Sequence, residues 1–491
     1  MGLEKTDQSS GIAVREEGLF VHGEMRAAVS GATFDDFNPA TGELYARVAD
    51  AGVEDASMAI EAAQAATRTW QQLPAAEREN VLWRAAAVLE EQSEEFVEVL
   101  IDESGSTVSK ARSEVNKSVD LLRAAAGDVR RVEGKTTPSA KCSFSIRQPV
   151  GVMVAITPWN VPLTLAAKKV ALGLSAGNTL VLKPSPLAPV IAVMLGRVFD
   201  EAGLPPGALN VIPGPGKPLG DLFVAHPDVK AITFTGSTAT GKYLAGGAAA
   251  NLKRFGLELG GKNPAIVLRD ADLERAAQAI AFSAFYHSGQ NCMAAGRVIV
   301  EEPCYEEMVE RLGSRASNLK VGDPRSPTTH LGPIISDEQL QRVHRLVIDS
   351  IEAGARLVCG GTPDPPFYPA TIVADVRPGM SLFEEETFGP VAAVIQAKDA
   401  ADALQLANNS RYGLSAGIFT RDIQKGLKLA QQLEVGMVHI NDSPTYTEPT
   451  VPFGGVKESG YGREGSGGWS WHEMTEPKWI TVQLEEKQFP F

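Results

Sequence analysis

The chain opens with a helical pattern of apolar positions. Between Val53 and Arg131, Ala59, Ile60, Ala63 and Trp70 recur at helical spacing, and Val81, Leu82, Ala85, Val88 and Leu89 do the same. Pro74 suits the first turn of a helix, and Gly105 suits a stop. At residue 150 the character changes. Short runs rich in β-branched residues appear at Val152–Ile156, Thr179–Lys183, 209–212, 229–234 and 264–268, with helical segments such as 188–202 between them. Strands alternating with helices at this spacing predict a parallel sheet with crossover helices. A second series follows. Its helices fall over 273–287, 305–319, 337–352, 400–409 and 423–433, and its strands over 297–301, 391–396 and 436–440. That predicts a second α/β unit. Two segments, 134–148 and 478–491, fit neither unit. They alternate polar and apolar residues, as in Phe144-Ser145-Ile146-Arg147 and Trp479-Ile480-Thr481-Val482, which predicts half-exposed strands in need of a partner edge. About the first 18 residues are polar and are expected to be loosely ordered.

Composition narrows the function classes. At about 150 residues per domain, 491 residues correspond to roughly three structural units. The formal net charge of -14 repels phosphate backbones and anionic lipid, so neither nucleic acid nor a membrane surface is an expected partner. The most apolar stretch, from Val150 to Leu174, is interrupted by Pro158, Asn160, Pro162, Lys168 and Lys169, and cannot span a bilayer. The N-terminus has no apolar core and does not read as a secretory signal; its match to a myristoylation pattern, through Gly2 and Thr6, is short enough to arise by chance. The four cysteines, Cys142, Cys292, Cys304 and Cys359, are too few for a disulfide scaffold, and no two are spaced as a zinc or redox pair. A cytoplasmic protein without a metal site is expected.

Several strand ends carry residues suited to chemistry. Phe234-Thr235-Gly236-Ser237-Thr238-Ala239-Thr240-Gly241 follows a predicted strand and opens a helix, a junction whose free N–H groups suit a phosphate. It departs from the usual Gly-x-Gly-x-x-Gly fingerprint, and alone it reads as a plain turn. Lys183-Pro184-Ser185 ends another strand; its lysine could hold ribose hydroxyls or simply be solvated before a proline turn. Glu258-Leu259-Gly260-Gly261-Lys262 offers a carboxylate as general base, or a surface acid before a turn. Thr157-Pro158-Trp159-Asn160 offers an amide donor for an oxyanion, or a helix cap. In Glu384-Glu385-Glu386-Thr387-Phe388-Gly389-Pro390, the Gly-Pro turn could aim one acid and one ring inward from an otherwise solvated loop. Cys292, in Gly289-Gln290-Asn291-Cys292, is a candidate nucleophile, although a lone cysteine is more often a small buried hydrophobe.

Together these runs, with Pro452-Phe453-Gly454-Gly455 near the C-terminus, resemble the aldehyde dehydrogenase superfamily in order and approximate separation. The resemblance runs from about Phe34 to the tail. It implies a Rossmann-like cofactor domain over 19–133 and 149–260, an α/β catalytic domain over 261–447, and a small β-flap for oligomerisation over 134–148 and 478–491. It also implies the roles. Cys292 attacks the aldehyde carbonyl, and Asn160 with the Cys292 N–H stabilises the oxyanion. The thiohemiacetal gives hydride to a nicotinamide, and Glu258 activates water to hydrolyse the thioester, assisted by the pair Lys169 and Glu464. A free thiol has a pKa near ~8.5, so the site must favour ionisation or supply a base. Cofactor contacts fall on Ile156, Trp159, Lys183, Ser185, Gly216, Gly236, Ser237, Gly241, Leu259, Glu386 and Phe388.

Many NAD-preferring members carry glutamate directly after the Lys-Pro-Ser run, where it bonds the adenosine ribose and repels a 2′-phosphate. Here that residue is Pro186, so NAD is expected first and NADP is possible. The resemblance lines the substrate tunnel with Val161, Leu165, Met293, Tyr446 and Phe453. No arginine there would hold a distal carboxylate. With the ending Gly460-Tyr461-Gly462-Arg463-Glu464, the chain is similar to members acting on aromatic aldehydes, such as vanillin, benzaldehyde and salicylaldehyde. The expected reaction is oxidation of an aromatic or bulky apolar aldehyde to its acid, by a homodimer or homotetramer. Competing readings are a CoA-acylating dehydrogenase, an aliphatic semialdehyde dehydrogenase, and a non-catalytic relative of the fold.

Overall fold

The computed structural model describes residues 14–139 and 141–491; the pattern at Gly2 and Thr6 lies outside the described residues. The helical opening resolves into Val53–Gln72, Ala75–Glu91, Ser93–Ser104 and Val108–Asp128. Pro74 is the N-cap of the second helix. Gly105, at φ 64°, ends the third in the left-handed conformation that glycine adopts without a Cβ penalty. The stripe from Ala59 to Trp70 and the stripe from Val81 to Leu89 are buried, except for the partly buried Val88.

The first sheet has eight strands in the order Gly460–Tyr461, Arg254–Glu258, Val229–Thr235, Val152–Ile156, Thr179–Lys183, Leu209–Val211, Leu19–Val21 and Glu24–Arg26. The five from Arg254–Glu258 to Leu209–Val211 are parallel. The chain enters at Val152–Ile156, builds outward through Thr179–Lys183 and Leu209–Val211, then crosses back to Val229–Thr235. The strand order therefore reverses between Val152–Ile156 and Val229–Thr235, and ligands bind beyond the carboxyl ends at such a reversal. This is a Rossmann-like order.

The second sheet has seven strands in the order Arg356–Cys359, Thr371–Ala374, Val391–Ala397, Ala295–Glu301, Asn263–Val267, Ser415–Phe419 and Met437–Ile440. All but the first run parallel. The run 264–268, which followed the first series along the chain, belongs to this second sheet. Only two residues of the turn, Gly260 and Gly261, separate the local sequence of Glu258 and Leu259 from that of Lys262 and the second sheet.

Two expectations change. Arg15–Glu17, within the supposedly loose leader, is a strand paired in parallel with Leu44–Ala49. Arg15 and Arg197 both bond the buried Glu17, which anchors it. The two orphan segments pair with each other: Cys142–Pro149 runs antiparallel to Thr475–Val482, and Lys135–Thr136 lies on the far side. The C-terminal strand thus begins three residues before the expected 478.

Candidate active site

Two cavities meet at Cys292. One, of about 270 Å³, lies at the reversal of the first sheet and is walled by Trp159, Gly236, Ser237, Glu258, Leu259, Glu386 and Phe388. The other, of about 390 Å³, is walled by Val161, Leu165, Met293 and Phe453, with Leu121, Phe282 and Tyr286. Cys292, Asn160 and Leu165 line both. A reacting atom at the thiol is thereby reached from two sides.

Cys292 is half-buried, in the loop before strand Ala295–Glu301. Burial pushes its thiol up to about 12, Glu386 and Glu258 push the same way, and Lys168 opposes them. The loop is held rigidly. His287 and Ser288 both take φ 53°, an uncommon conformation for residues with a Cβ. Ser288 donates to the Gly332 carbonyl at 2.8 Å, and the Asn263 amide donates to the Cys292 carbonyl at 2.8 Å.

Asn160 is not a helix cap. Val161 occupies the cap position of Pro162–Ser175, and the Asn160 amide donates to the Gln290 carbonyl at 2.9 Å. An amide nitrogen carries two donors, and among the described residues the second has no acceptor. Asn160 is fixed from behind by a buried pair the sequence did not reveal. Lys110 donates to its carbonyl at 2.9 Å and pairs with Glu114, whose other oxygen accepts from the Leu163 N–H at 2.9 Å.

Glu258 is buried, not a surface acid, at 4% exposure. Its Oε2 has no hydrogen-bond partner among the described residues. Burial raises its carboxyl well above the usual range, Glu464 adds to the rise, and Lys168 and Lys169 oppose it. Gly454 closes this chamber: a Cβ there would stand 2.8 Å from Glu258 Oε1. Lys169 pairs with Glu464 and also donates to Thr233 at 2.7 Å. Burial would raise Glu464, but Lys169 and Lys168 hold it down to about 2.

Of the three adjacent acids, Glu384 accepts from Gly379 N–H at 2.9 Å, Glu385 pairs with Arg411, and Glu386 turns inward to accept from Gly261 N–H at 2.8 Å. A Cβ on Gly260 would overlap the Glu386 carboxylate, so only glycine permits this approach. Phe388, at φ 53°, meets Trp159 edge-on at 5.4 Å. Helix Asp337–Glu352 clamps the strip: Gln339 donates to the Phe388 carbonyl, and Arg342 to those of Thr387 and Glu386. Gln339 and Arg342 line the smaller cavity and carried no signal in the sequence.

Other expected residues lie farther out. Lys183 is buried at its strand end and turns Nζ back to the Pro184 carbonyl at 2.9 Å; burial lowers it to about 8. Ser185 accepts from the Leu187 N–H, Ile156 ends the central strand, and Gly216 starts helix Gly216–Ala225. Ser237 caps helix Thr238–Ala250, and Gly241 packs on Leu259. None of Ile156, Lys183, Ser185, Gly216 or Gly241 walls the smaller cavity. Tyr446 departs from the expected tunnel. It is 47% exposed, its ring stands edge-on to His439 and its hydroxyl goes to Glu448, while Thr445 and Thr447 face the cavity instead.

The smaller cavity fits a nicotinamide cofactor: the Gly260-Gly261 turn, the start of helix Thr238–Ala250 at Ser237 and the inward carboxylate of Glu386 gather on the wall that also holds the thiol. Residues 26–480 match the Aldehyde dehydrogenase family. The chain is 40% identical to a vanillin dehydrogenase of Pseudomonas fluorescens, over 96% of this chain and 99% of that protein. It is 40% identical to a benzaldehyde dehydrogenase [NAD(+)] of Pseudomonas putida, over 92% and 94% respectively. It also superposes with a TM-score of 0.95 on a salicylaldehyde dehydrogenase of Pseudomonas putida G7 complexed with salicylaldehyde, at 38% identity, covering 97% of this chain and all of that one. The chain belongs to the aldehyde dehydrogenase family, and it is an NAD(P)-dependent oxidoreductase acting on aldehydes.

Proposed function

We propose that this enzyme oxidises aromatic aldehydes to carboxylic acids, with the aldehyde entering through the larger cavity. The observation that carries this is the lining of that cavity: Phe282, Tyr286 and Phe453 rings with Leu121, Val161, Leu165 and Met293, closed at its inner end by Cys292. Flat apolar walls suit a flat apolar ring. The names of the vanillin, benzaldehyde and salicylaldehyde dehydrogenases support the same substrate class.

In this reading Cys292 attacks as the thiolate, its proton released to solvent through the cavity, and Sγ forms a bond to the aldehyde carbon as the C=O π bond opens; the free Asn160 N–H with the Cys292 backbone N–H receives the developing oxyanion. When bound, NAD(P) supplies the hydride acceptor. Trp159, Gly236, Ser237, Leu259, Glu386 and Phe388 hold it on the smaller cavity, with Ile156, Lys183, Ser185, Gly216 and Gly241 toward its adenosine end. Glu258, once ionised, takes a proton from the water that attacks the thioester, the C–S bond breaks to release the Cys292 thiolate and the acid, and the Lys169 and Glu464 pair relays the proton away from Glu258. Water rather than CoA is the acyl acceptor in this reading, because the buried Glu258 carboxylate keeps Oε2 free of hydrogen-bond partners among the described residues and so available to a water. We take NAD as the cofactor and the cytoplasm as its compartment; Pro186 leaves a 2′-phosphate unrepelled, so both dinucleotides belong in the test. The test is absorbance at the NAD(P)H band across an aldehyde panel. Benzaldehydes should exceed acetaldehyde and succinic semialdehyde in kcat/KM by about tenfold or more, and acid should form without CoA. Preference for the short aldehydes removes the aromatic reading.

We also propose a homo-oligomer assembled through strand Thr475–Val482. Its outer edge is unpaired among the described strands, and Trp479 is 73% exposed on it. Light scattering should give a dimer or tetramer for the full chain, and removal of residues 478–491 should shift it toward monomer. A full-length chain that already runs as a monomer at micromolar concentration ends this proposal.

A further inference from the structure

One buried charge in the larger cavity is not used by the chemistry above. Val161, Thr164, Leu165 and Lys168 follow the i, i+3, i+4, i+7 spacing of one helix face, and all four line the cavity that holds Cys292. Three are ordinary walls for an apolar substrate. Lys168 is an ammonium at 7% exposure. Its Nζ lies 3.8 Å from the centre of the Phe453 ring and 3.4 Å from Glu464 Oε2. The second contact is a charge contact without hydrogen-bond geometry, since Glu464 Oε2 has no hydrogen-bond partner among the described residues.

Neutralising Glu464 does not require Lys168. Lys169 already bonds Glu464 Oε1, and Thr233 donates to the same oxygen at 2.8 Å. Two lysines therefore share the Glu464 carboxylate, and Lys168, which also acts on Glu258 and Cys292 through its charge alone, has its ammonium facing the cavity. Burying an ammonium without hydrogen-bond acceptors is costly, and a methionine would fill the same space at less cost. Among the described residues, the three N–H donors of Lys168 have no acceptor, and the space they border is the substrate cavity. The other ionisable groups on that cavity do not claim it: Glu114 is paired with Lys110, while Lys117, Asp120 and Glu448 belong to other segments of its wall.

We propose that Lys168 is a specificity-determining residue whose ammonium donates a hydrogen bond to an oxygen substituent on the ring of the aldehyde, so that hydroxylated benzaldehydes are preferred over benzaldehyde. The inference rests on the aromatic reading above. The ammonium favours the phenolate form of such a ring, which accepts a charge-assisted hydrogen bond, and the Phe453 face holds the lysine stem and head in place.

The test compares kcat/KM for benzaldehyde and for 2-, 3- and 4-hydroxybenzaldehyde in wild type, Lys168→Met and Lys168→Arg. Wild type should prefer at least one hydroxylated isomer. Lys168→Met should lower that preference ratio by about tenfold or more, and Lys168→Arg should restore most of it. An unchanged ratio, or equal losses on benzaldehyde and its hydroxylated forms, overturns the proposal and assigns Lys168 to the thiol or to Glu464 instead. A wild type that oxidises no benzaldehyde at all shows that the aromatic reading has failed, a distinct outcome. A second measurement covers a misfolded Lys168→Met. In Cys292→Ala, which binds without turnover, the phenol-to-phenolate absorbance transition of the preferred hydroxybenzaldehyde should fall to lower pH on binding; an unmoved transition overturns the proposal.

Discussion

Replacing Cys292 by alanine is expected to reduce aldehyde oxidation by at least about 10⁴-fold, the scale on which removal of a covalent nucleophile acts. The fold should barely notice. The thiol makes one weak hydrogen bond, 3.8 Å to the Asn291 Oδ1, and packs on the small apolar cluster of Met293, Leu414 and Phe453 while lining both cavities. The loop is positioned by other atoms: the Cys292 carbonyl on the Asn263 amide, Ser288 on Gly332, and Gln290 on Ile335 N–H at 2.9 Å. A melting temperature within about 2 °C of wild type should accompany the loss of activity. Retained cofactor binding, followed by nucleotide fluorescence quenching, would separate lost chemistry from a lost site. Wild-type alkylation by iodoacetamide should climb with pH through the neutral and alkaline range, because burial, Glu386 and Glu258 push the thiol up to about 12 and the thiolate is the reactive form. Residual activity in Cys292→Ala within a hundredfold of wild type would mean that another group carries the bond to substrate.

Cys292 was visible in the chain only through the residues around it, and the structure explains why. Val152–Ile156 and Thr179–Lys183 are continuous β-branched and aliphatic runs with turns on both sides, so their limits could be read directly. Arg254–Glu258 is placed by its end at Glu258, but its extent has no clear pattern in the sequence because Gly256 interrupts it. Ser415–Phe419, with Gly417 at its centre, was missed for the same reason. The leader strand Arg15–Glu17 is held by a side-chain pair 180 residues apart, Arg197 with Glu17, which leaves no local pattern.

The same contrast holds within the site. Residues at strand ends could be found, since the fold class says where ligands bind. Residues that arrive from helices were legible only through the family resemblance, as Leu165 and Lys169 were, and others not at all. Lys110 and Glu114 reach Asn160 from helix Val108–Asp128, while Gln339 and Arg342 reach Phe388 and Glu386 from helix Asp337–Glu352. Nothing in a helical stripe distinguishes an inward cation with a task from a solvated one. Tyr446 fails for the opposite reason. Its neighbours Thr445 and Thr447 face the cavity, and the side chain between them turns to His439 and Glu448.

Glu258→Gln is expected to uncouple the two halves of the reaction. Steady-state turnover should fall by about 10²- to 10³-fold, while a burst of NAD(P)H close to one per subunit remains, because a stalled thioester on Cys292 accumulates behind the first hydride transfer. Glutamine fits the chamber: it has the size of glutamate, and Glu258 Oε2 has no hydrogen-bond partner among the described residues to lose. The pH dependence follows from the raised carboxyl. Burial, seconded by Glu464, favours the protonated acid, whereas a general base works only when ionised. Hydrolysis in wild type should therefore increase with pH through a range above that of an ordinary carboxylate, and it should be slowest in acid, where Glu258 holds its proton. Lys168 and Lys169 oppose the rise, so Lys169→Met should move the limb of the kcat profile to higher pH, and Glu258→Gln should abolish it. Stopped-flow absorbance separates the phases. A Glu258→Gln enzyme without a burst would place this carboxylate before acylation, as the base that ionises Cys292, and would end its role in hydrolysis alone. The thiol's own elevation makes that contrast measurable: alkylation of Cys292 in Glu258→Gln should be as fast as in wild type or faster, since removal of a carboxylate that pushes the thiol upward can only ease its ionisation.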